Sequence, residues 1–375
     1  MNIRSNFNKS STQDWEDKVI EDFKDKVIDD FYWKTSYGNI NPFSINKELI
    51  DNFSSQSFNE IRWRFNNDNK INSNILNRLK DGVNSINIDG INFKNSIFDN
   101  VMCSIIQTHI KLSPNTNSSE IKLWNNWGDQ EIKGSIRMDP LENILENFSE
   151  SNLNNQFKSY QNFSNIIKNK NLKCIYVNGE VYLKYFNDFS TEIAFLVSHF
   201  NEIIECHISN QLDIPKKVMI QTLIGNSFLE SISKIKAIRF IINQIIKTHN
   251  LKMEVYIETS PNPEILKQKE LDFRIMTLTS TALSSLLGGA NTFEMSNSLL
   301  ESNEDYWKKI MINVPLILTE ESNINNEMSK GAHIIEQISI KMAQSSWSIF
   351  KEIENRNGLI SFIKNKEHTN YCKFK

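Results

Sequence analysis

From residue 58 onward the sequence alternates between short apolar runs and longer runs whose apolar positions recur every three or four residues. The short runs have the character of strands, and the long ones of helices with a single apolar face. Strand candidates are Glu60–Phe65, Val83–Ile88, Ile106–Leu112, Ile132–Met138, Leu172–Val177, Val218–Leu223, Met253–Thr259 and Ala290–Met295. The runs near 172, 218 and 253 are the clearest, being bounded by turn residues. Between them, Phe228, Ile232, Ile235, Ile238, Ile242 and Ile245 predict an amphipathic helix of about five turns. Ala282, Leu283, Leu286 and Leu287 predict another, stopped by Gly288-Gly289. Ile334–Glu354 reads as the final helix. Eight strands with interposed helices predict an α/β fold, a (β/α)8 TIM-type barrel. An open doubly wound sheet satisfies the same alternation.

Composition narrows the function classes. A chain of 375 residues, 39% of them hydrophobic, can fill a large core and is not of disordered type. Its net charge of −3 provides no basic footprint for nucleic acid or an anionic membrane. Cys103, Cys174, Cys206 and Cys372 lie far apart without a C-x-x-C spacing, which argues against zinc and against a disulfide framework. No signal-peptide core opens the chain, and no apolar run reaches the length of a membrane span. The expectation is a cytoplasmic protein.

Residues 1–57 do not read as a barrel unit, and residues 58–375 form the barrel. Ser11-Thr12-Gln13-Asp14 has the pattern of a helix start, with a hydroxyl cap and an acid three positions on. Trp15, Val19, Phe23 and Val27 fall four apart and predict one apolar stripe, followed by Phe31-Tyr32-Trp33. Tyr37-Gly38 and Asn41-Pro42-Phe43 break the helix. Such an arm either packs on its own domain or clasps a partner.

No constellation here makes a free-standing active site. His109, His199, His207, His249, His333 and His368 show no H-x-x-x-H spacing, and Cys206-His207 are adjacent, so a helix points them apart. Glu320-Glu321 are likewise consecutive. Gly288-Gly289 alone is a helix stop and not a phosphate loop.

Several segments occur in an order that resembles the methylmalonyl-CoA mutase family. Trp15-Glu16-Asp17-Lys18-Val19 with Trp33-Lys34-Thr35 and Asn41-Pro42-Phe43 is similar to the arm of the family's small subunit. Gly82-Val83-Asn84-Ser85-Ile86 is similar to its second barrel strand. Gly134-Ser135 with Asp139-Pro140-Leu141 matches its G-S-x-x-x-D-P-L turn. Val177-Asn178-Gly179, Tyr182 and Glu192-Ile193-Ala194 follow its strand–turn–helix pattern, and Glu230–Arg239 is similar to its E-I-A-K-x-R-A-x-R helix. The resemblance implies an acyl-CoA mutase barrel. In active members adenosylcobalamin supplies the radical, while a tyrosine and a histidine stand beside the substrate.

This chain departs from the family at those positions. The family's I-R-Q-Y aligns with Ile61-Arg62-Trp63-Arg64, so Arg64 stands for the tyrosine. Its Y-H pair aligns with Tyr182-Leu183, so Leu183 stands for the histidine. Its D-P-x-G-G-S-Y turn becomes Glu327–His333, its G-G-T-Q-S-L-H becomes Gly288–Glu294, and the preceding arginine becomes Thr277. A D-x-H-x-x-G cobalt-ligating motif is absent, and no C-terminal cobalamin-binding domain is expected.

The resemblance therefore implies a small, non-catalytic subunit with no catalytic, metal-binding or cofactor-binding residues of its own. Its partner in a heterodimer would be the mutase large subunit, which binds adenosylcobalamin and isomerises (R)-methylmalonyl-CoA to succinyl-CoA. Trp15, Phe23, Tyr32 and Trp33 are the expected partner contacts. Two alternatives are an acyl-CoA mutase barrel working with a separate cobalamin-binding chain and a non-catalytic barrel that holds CoA. In the family the CoA tail runs along the barrel axis. Ser135, Tyr182, Thr222 and Asn291 are the candidate substrate-binding residues, although Met219, Ile220 and Leu223 could equally plug the axis, since a one-residue shift exchanges a strand's two faces.

Overall fold

The computed structural model describes residues 11–41, 60–66, 68–90, 92–128, 132–146, 148–186, 188–267, 270–299 and 305–372. A helix α1 (Thr12–Asp22) and a small antiparallel hairpin, β1 (Trp33–Thr35) and β2 (Gly38–Ile40), come first. Eight strands follow: β3 (Glu60–Phe65), β4 (Ser85–Asp89), β5 (Gln107–Leu112), β6 (Gly134–Met138), β7 (Ile175–Asn178), β8 (Lys217–Ile224), β9 (Glu254–Pro261) and β10 (Thr292–Ser296). All eight strand candidates are present, the first with the expected bounds and the others displaced by a few residues.

The eight strands are parallel, in the order β6-β5-β4-β3-β10-β9-β8-β7. The two ends of this order meet. Ile136 of β6 bridges to Lys173, and its N–H donates to Leu172 O at 2.9 Å, just ahead of β7. That contact closes the sheet into a barrel, and the doubly wound alternative, which leaves two free edges, is set aside. The helices form the outer layer: α2 (Ile71–Lys80), α3 (Ser118–Gly128), α4 (Glu150–Ile166), α5 (Glu180–Tyr185), α6 (Phe189–Ser209), α7 (Phe228–Thr248), α8 (Pro263–Lys267), α9 (Leu271–Gly288), α10 (Asp305–Leu316), α11 (His333–Asn355) and α12 (Gly358–Lys364). Between β4 and β5 the described crossover carries only a 3₁₀ turn, Asn95–Phe98.

The apolar core lies between strands and helices. In α7 the expected stripe Ile232, Ile235, Ile238, Ile242 and Ile245 is buried. Gly289 ends α9 in the left-handed conformation (φ 80°), and a Cβ on Gly288 would lie 2.7 Å from Ile235. The glycine pair thus both stops α9 and lets it approach α7 closely.

Two expectations need correction. The helix predicted to carry Trp15, Val19, Phe23 and Val27 stops at Asp22. Phe23 is its C-cap and Val27 is extended. Phe23 and Val27 are 49% and 65% exposed, so prolonging the helix would bury nothing, and without a packed face a further turn gains little. Pro42 and Phe43 lie outside the described residues. In addition, α11 is not the final helix. Asn357 (φ 66°) and Gly358 (φ 85°) reverse the chain, and α12 sends Leu359, Phe362 and Ile363 into the core. No described helix is long and apolar enough to cross a membrane.

The hairpin is anchored to the barrel's helices. Ile40 is fully buried, Tyr37 donates its hydroxyl to Glu230 Oε1 at 2.7 Å, and Ser36 donates to Asp188.

Candidate functional site

Strand alternation sets what the barrel encloses. β3 turns Ile61, Trp63 and Phe65 outward to the helices and Arg62 and Arg64 inward. β4 turns Ser85, Asn87 and Asp89 inward, β5 His109 and Lys111, and β6 Ser135 and Arg137. From the other wall come Tyr176 on β7, Gln221 on β8, Glu258 on β9 and Glu294 on β10. The axis is therefore packed with charged and polar side chains.

These side chains form one connected network. Glu258 accepts from Arg62 Nη1 through Oε1 at 2.5 Å and from Arg137 Nη1 through Oε2 at 2.7 Å. Arg62 also donates to Glu60 at 2.5 Å and to Ser85 Oγ at 3.0 Å. The Arg137 guanidinium lies 4.3 Å from the ring centre of Tyr176, whose hydroxyl donates to Gln221. Gln221 Nε2 in turn donates to Glu294 at 2.9 Å and to Glu180 at 2.8 Å, and Asn87 Nδ2 donates to Glu294 at 2.9 Å. Arg62, Arg137 and Glu258 have no solvent exposure.

Burial disfavours every one of these charges, and mutual pairing offsets it. Burial works against ionisation of Glu258, but Arg137 and Arg62 outweigh it and hold the carboxyl below its ordinary range. His109 is pushed down by burial and then by Arg62, so its ring is neutral. Its Nε2 lies 2.9 Å from Arg62 Nη2 and 3.1 Å from Glu60 Oε2, and its Nδ1 lies 2.7 Å from Ser135 Oγ.

Above this plug, at the carboxyl ends of the strands, a cavity of about 490 Å³ opens. This is the face where barrels of this type place their chemistry. Arg64, Lys111, Glu180, Leu183, Ser260 and Glu294 are among its lining residues. Arg64 and Leu183, far apart in the sequence, thus face one chamber.

Arg64 is fully engaged there. Its Nη1 and Nη2 grip Glu180 at 3.0 and 2.7 Å, and its Nε donates to Glu294 at 2.7 Å. Burial would lower its pKa, but Glu180 and Glu294 override that and hold it well above the ordinary value. Lys111 is bound by Glu142. A permanently protonated guanidinium cannot exchange protons near neutrality, and leucine offers no hydrogen bond.

The four candidate substrate-binding residues are not brought together. Ser135 faces the axis, buried against His109. Tyr182 turns onto α6, its hydroxyl donating to His199 Nδ1 at 2.9 Å, while His199 Nε2 donates to Asp139 at 2.8 Å. Thr222 faces the helices and donates to Glu192 at 3.2 Å, beside the buried Lys234. It neighbours inward Gln221, and a strand's period of two turns it outward. Asn291 precedes β10 at the opposite end of the barrel, where Oδ1 accepts from Ile257 N at 2.9 Å and Arg239 Nη2 at 3.0 Å. Among the arm residues, Trp33 is 39% exposed, Trp15 and Tyr32 are half-buried, and Phe23 packs edge-on to Phe31 at 5.3 Å.

Arg62, Arg137, Glu258 and Glu180 were not singled out from the sequence. For the two arginines the signal was there in β3 and β6, as in Glu60-Ile61-Arg62-Trp63-Arg64-Phe65, where polar and apolar residues strictly alternate. In a barrel covered by helices, that alternation puts the charges inside.

The family model described as methylmalonyl-CoA mutase matches residues 119–371. No curated protein matches the sequence. Similar solved structures include dihydropteroate synthase from Yersinia pestis, at 12% identity and TM-score 0.36, covering 71% of this chain and 100% of that one. Dihydropteroate synthase from Thermus thermophilus aligns at 6% identity and TM-score 0.40, covering 70% and 94%. A glucosidase from Croceicoccus marinus aligns at 9% identity and TM-score 0.40, covering 78% and 69%.

Proposed function

This chain belongs to the methylmalonyl-CoA mutase family, and from that membership we propose that it serves as a small-subunit-like, non-catalytic component of the mutase. Its partner is the large subunit, which isomerises (R)-methylmalonyl-CoA to succinyl-CoA with adenosylcobalamin. The N-terminal arm, through Trp15, Phe23, Tyr32 and Trp33, contributes to the heterodimer contact.

One observation carries the reading. The axis that family members give to the CoA tail is filled here by the Arg62–Glu258–Arg137 cluster, and in the chamber above it Arg64 is held by Glu180 and Glu294. Opening that axis would part buried guanidiniums from their carboxylates, a strongly unfavourable step that a bound CoA tail would have to offset. The same plug weighs against a CoA-holding barrel and against a mutase barrel served by a separate cobalamin chain.

Adenosylcobalamin does not fit this chamber as a resident group. No imidazole or thiolate is among the described residues that line the mouth, and its rim carries ion-paired carboxylates. Cobalt ligation therefore falls to the partner.

Co-expression with the large subunit, followed by size exclusion with light scattering, tests the proposal. A one-to-one complex is expected. A free monomer, or saturable binding of acyl-CoA by this chain alone, would overturn it.

A further inference from the structure

A second cavity, of about 380 Å³, lies outside the barrel wall between α2, the loop after β10 and the start of α10. We propose that it is a binding site for a phosphate group, free or carried on a small organic molecule.

Its floor is Trp63, with the Arg78 guanidinium 5.5 Å from the ring centre. Arg78 is itself only 8% exposed, and its Nη1, though 2.8 Å from Asp81, makes no aligned hydrogen bond. Lys308, with a side chain only 13% exposed, projects from α10, and Lys70 stands at the start of α2. Three cations therefore converge on one polar chamber. The amides of Asn77 and Asn297 line it as well and supply neutral donors.

Arg78 is paired on one side with Asp81, whereas its Nη2 and Lys308 share a single exposed carboxylate. Asp305 lies 3.5 Å from Arg78 Nη2 and 3.4 Å from Lys308 Nζ, yet its side chain is 77% exposed. It is a solvated counter-ion at the long end of ion-pair distance, standing where a better one would sit. A phosphate group carries more charge and more acceptor oxygens than a carboxylate and suits a guanidinium fork. Asp68 also lines the cavity, with its two oxygens turned to the Lys70 N–H at 3.0 Å and Asn74 Nδ2 at 2.7 Å. The cavity exceeds what one phosphate fills, which leaves room for an organic substituent.

Calorimetric titration of the full chain with inorganic phosphate, and separately with glycerol phosphate, provides the test. Saturable binding is expected, weakened at least tenfold in Lys308→Ala and strengthened in Asp305→Asn, because that variant removes the anion shared by Arg78 Nη2 and Lys308. Tighter binding of glycerol phosphate would assign the organic source, and equal binding the free anion. No saturable binding of either probe would overturn the proposal. So would affinities unchanged in both variants, whose circular dichroism spectra establish that they fold.

Discussion

Glu258 receives two buried guanidiniums, and its replacement measures how much of the barrel depends on them. Glu258→Gln keeps the shape but takes the paired carboxylate from Arg137 and leaves Arg62 to Glu60. Unfolding in urea should show a loss of about 3–5 kcal/mol, the range for breaking a buried ion pair from one side. Because the carboxyl is held below its ordinary range, its contribution is present above that range and fades as pH falls through the depressed value. Gly289 bears a smaller share of the stability. Its left-handed φ of 80° makes Gly289→Ala cost about 1 kcal/mol or more, readable as a lowered urea midpoint. The second of these residues was legible in the sequence, since a glycine pair after an apolar helix is a stop signal. The first was not. Glu258 sits in a mostly apolar run, and only the closed barrel reveals that the partners of this one carboxylate come from β3 and β6.

Among the elements, α11 and α12 carry a titrating joint. Glu354 near the end of α11 accepts from Asn201 Nδ2 at 3.2 Å, and Glu202, beside it on α6, accepts from the Ile360 N–H at 3.2 Å. Asn201 also meets His249, which lies 3.7 Å from Glu205. Burial, followed by the nearby Glu202 charge, pushes Glu354 up to about 7 from an ordinary 4.5. A raised carboxyl contributes stability that is complete below the unfolded value and lost as pH rises through the folded one. The melting temperature should therefore fall between pH 5 and pH 8. Glu354→Gln should flatten that fall and melt higher than the parent at pH 8, and an unchanged slope would assign the titration elsewhere. The strands and long helices were readable as elements because each is a run of one period between turn residues. The end of α1 and the existence of α12 were not, because both depend on what the rest of the molecule offers to pack against.

For the whole molecule, the proposed subunit contact is tested at the arm. Trp15→Ala or Phe23→Ala should weaken the heterodimer by about 2 kcal/mol or more if these rings are anchors, measured by titrating labelled large subunit. Affinities unchanged in both would move the contact to another surface. The barrel itself was legible as eight alternating units, but its interior was not, since a strand's two faces differ by a single step of register. The seam between β6 and β7 sets how the closed ring can open. Seven of the eight strand neighbours share ladders, whereas these two share one bridge, the Ile136–Leu172 bond and the Asn178 N–H to Asp139 contact at 2.8 Å. In deuterated water the ring should behave as a clasped band. The amides of Ile136 and Asn178 should exchange together and ahead of those in the β8–β9 ladder, because the barrel can unclasp there without dismantling any other strand pair.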